Sequence, residues 1–142
     1  MWSNVPANLL DLQQQLAALE PALVYGGVST DESDPRSRDR EIARFKSDRN
    51  CRVLLANPAA MSEGVSLHQA CHDAVYIDRT FNAGQYLQSV DRIHRLGLDP
   101  GVDTRVTLLV ASGTLDERVD ARVEDKTRRL SLMLHDPALV QM

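Results

Sequence analysis

The sequence of 142 residues has little cysteine, few aromatic residues and almost no lysine, and these shortages narrow what the protein can be. Cys51 and Cys71 are its only cysteines, which excludes a disulfide-stapled framework and favours buried free thiols in a reducing cytoplasm. No apolar run is long enough to cross a bilayer and no signal peptide is present, so we expect a cytoplasmic protein with no membrane partner. The formal net charge of −4 excludes general attraction to nucleic acid, so any polyanion must be bound locally.

One segment of the sequence has the residue types of a metal site. His68, Cys71 and His72 are close enough in sequence to suggest ligands for a metal ion. No complementary second pair of ligands occurs elsewhere in the sequence, so we predict that the protein has no metal centre.

Length and composition favour one α/β domain, because 142 residues can enclose a core and the apolar residues are mostly aliphatic. We assign residues 1–142 to this single domain and expect it to be a fragment of a larger protein. Trp2 looks like the tail of a strand whose beginning is missing. Short apolar runs predict four further strands, at Ala22–Tyr25, Cys51–Ala56, Ala74–Ile77 and Arg105–Ala111.

Helical patterns occupy the segments between these strands. The first helix has a face of leucines, and Asp34 caps a second helix that has Pro35 at its first position. Thr114–Glu117 fits a capping box that begins a long charged helix reaching about His135. Residues 137–142 are expected to form a loose tail. The order α-β-α-β-β-α-β-α predicts an α/β fold with a parallel sheet and helices on both faces.

The second helix is predicted to bury Ile42 and Phe45 and to expose its other side. That side is rich in arginine, and a solvated face explains it more simply than a phosphate-binding patch. The arginines concerned are Arg36, Arg38, Arg40 and Arg44.

The stretch from Asn82 to Leu98 predicts an amphipathic helix that Asn82 caps and Gly97 ends. Its apolar side holds Tyr86, Leu87, Val90 and Ile93. Its polar side holds Gln85, Gln88, Arg92 and Arg95. A guanidinium is always charged and its planar fork suits phosphate oxygens, so the polar side is a candidate phosphate site. The spacing alone leaves a solvated surface equally open.

The stretch Gln88–Gly97 resembles the sixth motif of the Swi/Snf-type ATPases of helicase superfamily two, which usually reads Q-A-x-D-R-x-H-R-x-G-Q. Other segments follow the family's order and spacing. They are Trp2–Asn4, similar to the end of the fourth motif, Asn57–Leu67, similar to the fifth, Asp78–Asn82, similar to D-R-x-W-N-P, and Gly113–Glu117, similar to G-T-I-D-E. The sequence departs from the family at Ser66, Phe81, Ala83 and Leu98, where asparagine, tryptophan, proline and glutamine are usual.

The resemblance implies a RecA-like lobe, the second of two, with the phosphate loop on the other lobe. No segment of this sequence has the form G-x-x-x-x-G-K-[ST] that such a loop requires. Asp31–Asp34 reads superficially as a D-E-x-D acidic box, but it lies away from a strand end and Pro35 follows it. A loop with a helix cap explains these acids better.

The resemblance also implies half of an ATPase site. ATP and Mg²⁺ would bind mainly to an absent N-terminal lobe, and the isolated chain should be inactive. His94 falls on the apolar side of the helical wheel, which favours a packing role for it. The residues implied as catalytic are Arg92, Arg95 and Gln88. Those implied to contact the nucleotide are Glu63, Gly64 and Asp91.

The implied partners are double-stranded DNA and the N-terminal lobe of the same parent chain. Ligands collect at the carboxyl ends of parallel strands, so the loops that follow the strands should contact the DNA backbone. The candidate residues are Ser29, Thr30, Asn57 and Ser62. Taken singly, each of these is explained as well by a turn hydrogen bond, and Gly64 by a tight turn.

Two other functions stay open. The chain could be a non-catalytic module that docks on a partner ATPase or on nucleic acid, or a plain interaction domain, against which Arg92 and Arg95 argue. In a bacterium the protein would lie with the nucleoid. The sequence leaves its oligomeric state open.

Overall fold

The structure, a computed structural model, describes residues 1–61, 64–94 and 101–134. Within these ranges helices and strands alternate in the predicted order, and the strands have shorter or slightly shifted bounds. The helices are α1 Pro6–Gln15, α2 Arg38–Ser47, α3 Ala83–Val90 and α4 Leu115–Leu134. The strands are β1 Ala22–Val24, β2 Leu54–Ala56, β3 Asp73–Tyr76 and β4 Arg105–Leu108. Short 3₁₀ turns at Ala17–Leu19 and Pro58–Ala60 follow α1 and β2.

Trp2 joins two pairs of parallel strands into one sheet. β1 pairs with β2 and β3 pairs with β4. Trp2 forms parallel bridges to Ala56 of β2 and Tyr76 of β3, and its N–H donates to the Val75 carbonyl at 2.7 Å. The order across the sheet is therefore β1, β2, Trp2, β3, β4. This arrangement confirms the predicted α/β fold and the strand character of Trp2.

Helices cover both faces of the sheet, as predicted. Successive strand side chains point to opposite faces, so one β1 residue and one β2 residue, Leu23 and Leu55, pack with Leu9 of α1 on the first face. The second face packs against the other three helices. Their buried residues include Ile42 of α2, Tyr86 and Val90 of α3, and Val119 and Val123 of α4. The buried side predicted for the Asn82 helix is confirmed.

Helix α2 begins later than the sequence predicts. The sequence favours Asp34 as its cap, but the helix begins at Arg38. The Asp34 carboxylate instead accepts a hydrogen bond from the Arg36 N–H at 2.8 Å. It closes a local turn, so the predicted cap is wrong. The predicted buried side is confirmed, because Ile42 is buried and Phe45 packs against the core.

Helix α3 has the predicted start but not the predicted length. The Asn82 side-chain oxygen accepts a hydrogen bond from the Gln85 N–H at 3.1 Å, which is the expected cap. The helix ends at Val90 and residues 91–93 form a turn, so a continuous helix through this region is wrong. Residues 95–98 of the predicted helix lie outside the described residues.

Helix α4 begins with half of the predicted capping box. The Thr114 hydroxyl accepts a hydrogen bond from the Asp116 N–H at 3.2 Å, as a cap should. The Glu117 carboxylate accepts from the Ser112 hydroxyl at 3.2 Å instead of reaching back to the cap residue. The helix therefore starts where predicted, but its second capping bond goes to a different residue.

Within the described residues the cysteines form no disulfide. Cys51 is buried and Cys71 is partly exposed, and both are free thiols. No cluster of acidic, histidine or cysteine side chains in those residues could hold a metal ion. None of the helices described is long and apolar enough to cross a membrane. His135 and the predicted tail at 137–142 lie outside the described ranges.

Candidate functional site

The carboxyl edge of the sheet brings together the segments that follow β2, β3 and Trp2, as the sequence predicts. The Asp78 carboxylate accepts hydrogen bonds from the Asn4 N–H at 2.7 Å and the Asn8 side chain at 3.3 Å. It also contacts the Ser3 hydroxyl. The Asn57 side chain donates to the Asn4 carbonyl at 3.2 Å. Segments distant in sequence thus form one polar edge with Asp78 at its centre. Its place at a strand end and in the D-R-x-W-N-P-like segment marked Asp78, but neither predicted its partners near the N-terminus.

The described candidates for DNA contact, Ser29, Thr30 and Asn57, lie in loops after strands. Two of them already have hydrogen-bond partners. The Asn57 side-chain oxygen accepts an N–H at 2.9 Å and caps the 3₁₀ turn that follows β2. The Ser29 hydroxyl accepts the N–H of the residue two positions later at 3.1 Å. Thr30 is exposed. Both are hydrogen bonds within turns, which account for these side chains without a contact to DNA. Ser62 lies outside the described residues.

Arg92 ties the loop after β2 to the turn after α3. Its guanidinium donates to the Val65 carbonyl at 2.8 Å and to the Met61 carbonyl at 3.5 Å. Its own carbonyl accepts the Leu67 N–H at 2.7 Å. Gly64 lies between these contacts with a φ of +83°, a left-handed conformation that favours glycine. Since α3 ends before Arg92, the prediction that this arginine projects from the polar face of the helix is wrong.

Gln88 and Asp91 lie at the end of α3 and are exposed. Neighbouring atoms desolvate the Asp91 carboxyl and raise its pKa, and His94 partly opposes this effect. His94 is itself exposed, with Nδ1 at 3.3 Å from the Thr104 hydroxyl. Its predicted packing role is wrong because the chain has left the helix by that point. Glu63 and Arg95, also site candidates, lie outside the described residues.

The buried side of α3 rests on an aromatic platform that also anchors α4. The Tyr76 hydroxyl lies 2.6 Å from the Ser89 hydroxyl, and the rings of Tyr76 and Tyr86 meet edge to face at 5.1 Å. Burial raises the pKa of both tyrosines. The Arg79 guanidinium lies 5.3 Å from the centre of the Tyr86 ring and pairs with Asp120 of α4. Sequence analysis missed the role of Arg79, because its partner is distant in sequence.

The Asp31–Asp34 segment forms turns. The Asp31 carboxylate accepts the Ser33 N–H at 2.9 Å and the Ser33 hydroxyl at 2.8 Å. These hydrogen bonds lower the pKa of Asp31, with the backbone bond making the larger contribution. The acids stabilise their own loop, which confirms the loop interpretation over an acidic catalytic box.

Arg44 of α2 and Arg36, just ahead of the helix, converge on a buried carboxylate that sequence analysis missed. Glu41 is 2% exposed and accepts the Leu23 N–H of β1 at 2.9 Å. It also pairs with Arg44 at 3.0 Å and with Arg36 at 3.1 Å. Arg40 donates to a loop carbonyl at 3.1 Å. These arginines stabilise the domain itself, so the predicted solvated face is wrong for Arg44. In the sequence, only the position of Glu41 beside the buried side of the helix could have indicated the pairing.

Comparison with known proteins places the chain in a family. Residues 8–97 match the helicase conserved C-terminal domain. An uncharacterized ATP-dependent helicase of Schizosaccharomyces pombe is 37% identical over 109 residues, which are 76% of this chain and 10% of that protein. The helicase-like transcription factor CHR28 of Arabidopsis thaliana is 29% identical over 96 residues, which are 67% of this chain and 9% of that protein.

A solved structure has the same fold. The crystal structure of the C-terminal part of the Fun30 ATPase domain matches with a TM-score of 0.70 at 21% identity. The match covers 86% of this chain and 37% of that one. The chain spans about a tenth of the length of the curated relatives it matches.

Proposed function

The chain belongs to the helicase conserved C-terminal domain family, as a RecA-like C-terminal lobe of Swi/Snf type, and from this we propose that it is the second motor lobe of a DNA-dependent ATPase that translocates on duplex DNA. In this proposal the chain is part of a larger protein whose N-terminal lobe holds ATP and its Mg²⁺. The absence of a phosphate-loop sequence from the 142 residues supports that division. The lobe described here closes on the γ-phosphate and contributes arginines to it.

The observation that carries the proposal is the joining of the Gly64 loop to Arg92. The Val65 and Met61 carbonyls hold the guanidinium beside a loop whose left-handed glycine leaves the backbone open to a ligand. The Val65 and Met61 carbonyls are neutral acceptors, and a hydrogen bond to a charged phosphate oxygen is about twice as strong. When the lobes close, Arg92 keeps its 2.8 Å bond to Val65 and exchanges the longer bond to Met61 for a phosphate oxygen.

The neighbouring residues complete the half-site. Arg95 acts with Arg92 on the charge that develops as the phosphoryl bond breaks, an effect worth roughly 10³ to 10⁵ in rate in phosphoryl-transfer enzymes. Gln88, exposed at the end of α3, positions a phosphate or the attacking water. Asp91 orients an arginine, and Glu63 and Gly64 contact the nucleotide.

The same edge of the sheet contacts the DNA backbone. Ser29 and Thr30 after β1, and Asn57 and Ser62 after β2, donate hydrogen bonds to phosphate or sugar oxygens. Backbone contacts position a strand without reading its sequence, which suits a motor that moves along any duplex.

The isolated chain provides the test of the half-site. Incubated with ATP, Mg²⁺ and duplex DNA, it should release no phosphate above the background, because the phosphate loop is on another lobe. Appreciable DNA-stimulated turnover by the chain alone would overturn the proposal. A non-catalytic docking module is distinguished in the full-length protein, where it predicts that loss of Arg95 leaves turnover unchanged.

A further inference from the structure

The outward face of α4 carries a row of three basic residues, Arg118, Arg122 and Lys126, which we call the cation row. Steps of four residues advance an α-helix by about 6 Å and turn it by about 40°, so the three side chains form a row about 12 Å long. All three are exposed. In a protein whose formal net charge is −4, this row is a local concentration of positive charge.

Among the described residues, no acid neutralises the charges of the cation row. Across the described part of the chain, no hydrogen bond or ion pair engages the guanidinium of Arg118 or Arg122. Lys126 donates one hydrogen bond, to the Phe81 carbonyl at 2.7 Å, which leaves two ammonium N–H groups. Asp125, the acid bordering this face, pairs with arginines outside the row at 2.9 and 3.4 Å. The row therefore keeps its positive charge.

The cation row adjoins the carboxyl edge of the sheet. Phe81, which lies between β3 and α3, is 44% exposed and separates two surface grooves of about 540 and 590 Å³. Arg118 and Arg122 line the first groove and Lys126 lines the second. A small recess lined in part by Asn82 continues from there towards the loop after β2. Pro58, the neighbour of the proposed DNA contact Asn57, lines this recess, so the recess leads from α4 towards that contact.

We propose that the cation row binds the phosphodiester backbone of DNA, as a strip of phosphate contacts beyond the loops at the sheet edge. This inference rests on the proposed function. A duplex presents one phosphate per strand for about every 3.4 Å of rise, so a row about 12 Å long spans three to four phosphates of one strand. Arginine forks match phosphate oxygens in geometry as well as charge.

The lining of the first groove favours phosphate over an acidic peptide. An amphipathic peptide helix needs an apolar groove for its anchor residues. Among the described residues, the apolar lining of the groove at Arg118 and Arg122 consists of Phe81 and Ala121. Leu130 and Met133 line only the far groove, past Lys126. Arg118 and Arg122 therefore supply the polar groups of the first groove, and both suit a contact with the phosphodiester backbone.

The test measures binding of a short duplex of random sequence to the 142-residue chain by fluorescence anisotropy over a range of salt concentrations. Each phosphate contact contributes about 0.9 to the slope of log K against log salt. The double variant Arg118→Gln with Arg122→Gln should lower the slope by about 1.8, and affinity on the order of 50-fold at about 0.1 M salt.

Two control variants distinguish a direct contact with phosphate from the effect of the protein's total charge on DNA binding. Arg49→Gln with Arg52→Gln removes the same charge from exposed positions between α2 and β2, and it should leave the slope close to that of the wild type. Arg118→Lys with Arg122→Lys keeps the point charges and should retain most of the slope. Equal unfolding midpoints for all variants exclude loss of fold as the cause.

The outcomes distinguish this inference from the proposed function. If the wild type binds the duplex and the Arg118 and Arg122 variant keeps its slope, the cation row is not a DNA contact, although the lobe is still a DNA-binding one. If the wild type binds no duplex at low salt, both proposals fail. If the variant loses binding only to an acidic amphipathic peptide, the row docks a protein and our inference is wrong.

Discussion

Helices α2 and α4 are both rich in arginine, but they use it in opposite ways. In α2, Arg44 and, just ahead of the helix, Arg36 pair with the buried Glu41 carboxylate at 3.0 and 3.1 Å. In α4, Arg118 and Arg122 have no such partner within the described residues and stand exposed. The first set fixes a helix to its sheet, and the second leaves charge available to a ligand.

The difference comes from where the acids lie. Glu41 is buried, and a buried carboxylate without cationic and N–H partners is costly, so it collects arginines. Its hydrogen bond in turn raises the pKa of Arg44. In α4, Asp120 turns inward to Arg79 and Asp125 pairs with other arginines. A basic helix therefore predicts a ligand site only where no buried acid claims the arginines.

The largest change in the free energy of unfolding is expected from removing the negative charge of Glu41 in α2. Glu41→Gln leaves Arg44 without its carboxylate in a largely buried setting, and loss of one partner of a buried pair costs about 3 kcal/mol. We take the lower end of the usual range because the Arg44 side chain is 26% exposed. Urea denaturation measures the change in the free energy of unfolding. Glu124→Gln, at an exposed position of α4, is the control, and an equal small change in both variants would contradict the role of Glu41.

A matched pair of arginine substitutions sharpens the comparison. Arg44 donates to Glu41 and to the carbonyls of Glu20 and Pro21, so Arg44→Gln should lower the free energy of unfolding by about 1.5 kcal/mol. Arg122→Gln should change it by less than about 0.5 kcal/mol, since the side chain is exposed. Equal losses in the two helices would show that the contrast drawn here is wrong.

The rate of thiol labelling at Cys51 reports how readily α2 separates from the sheet. Cys51 lies just after α2, and burial raises the pKa of its thiol, with Arg44 opposing. The thiolate is the reactive form, so iodoacetamide should label the partly exposed Cys71 first. Glu41→Gln should speed the labelling of Cys51 by about tenfold, because α2 opens more readily, and leave Cys71 unchanged. An unchanged Cys51 rate would mean that Glu41 does not hold this end of the helix.

Local rules predicted most of the fold. Alternating apolar runs gave the order of elements, and the Asn82 cap was predicted because its side chain acts on an N–H three residues away. Asp34 failed as a cap because its carboxylate had an equally local alternative, the turn with Arg36. The sequence holds both options, and in the structure Asp34 closes the turn while α2 begins at Arg38.

The site was harder to predict because its contacts join distant segments. The helical wheel assumed that α3 continues past Val90, so it placed Arg92 and His94 on the wrong sides. Arg92 donates to the carbonyls of Met61 and Val65, among other contacts, and main-chain carbonyls leave no signature in the sequence. The convergence of strand-end loops was predictable from parallel topology alone.

The central claim is that this lobe contributes arginines to ATP held by another lobe. DNA-stimulated ATP hydrolysis by the full-length protein, measured together with ATP binding, tests it most directly. We predict that Arg95→Ala lowers turnover by about 10³ or more while ATP affinity changes little, with Arg49→Gln as an unaffected control. Equal losses of turnover and of ATP binding, or no loss of either, would contradict the claim.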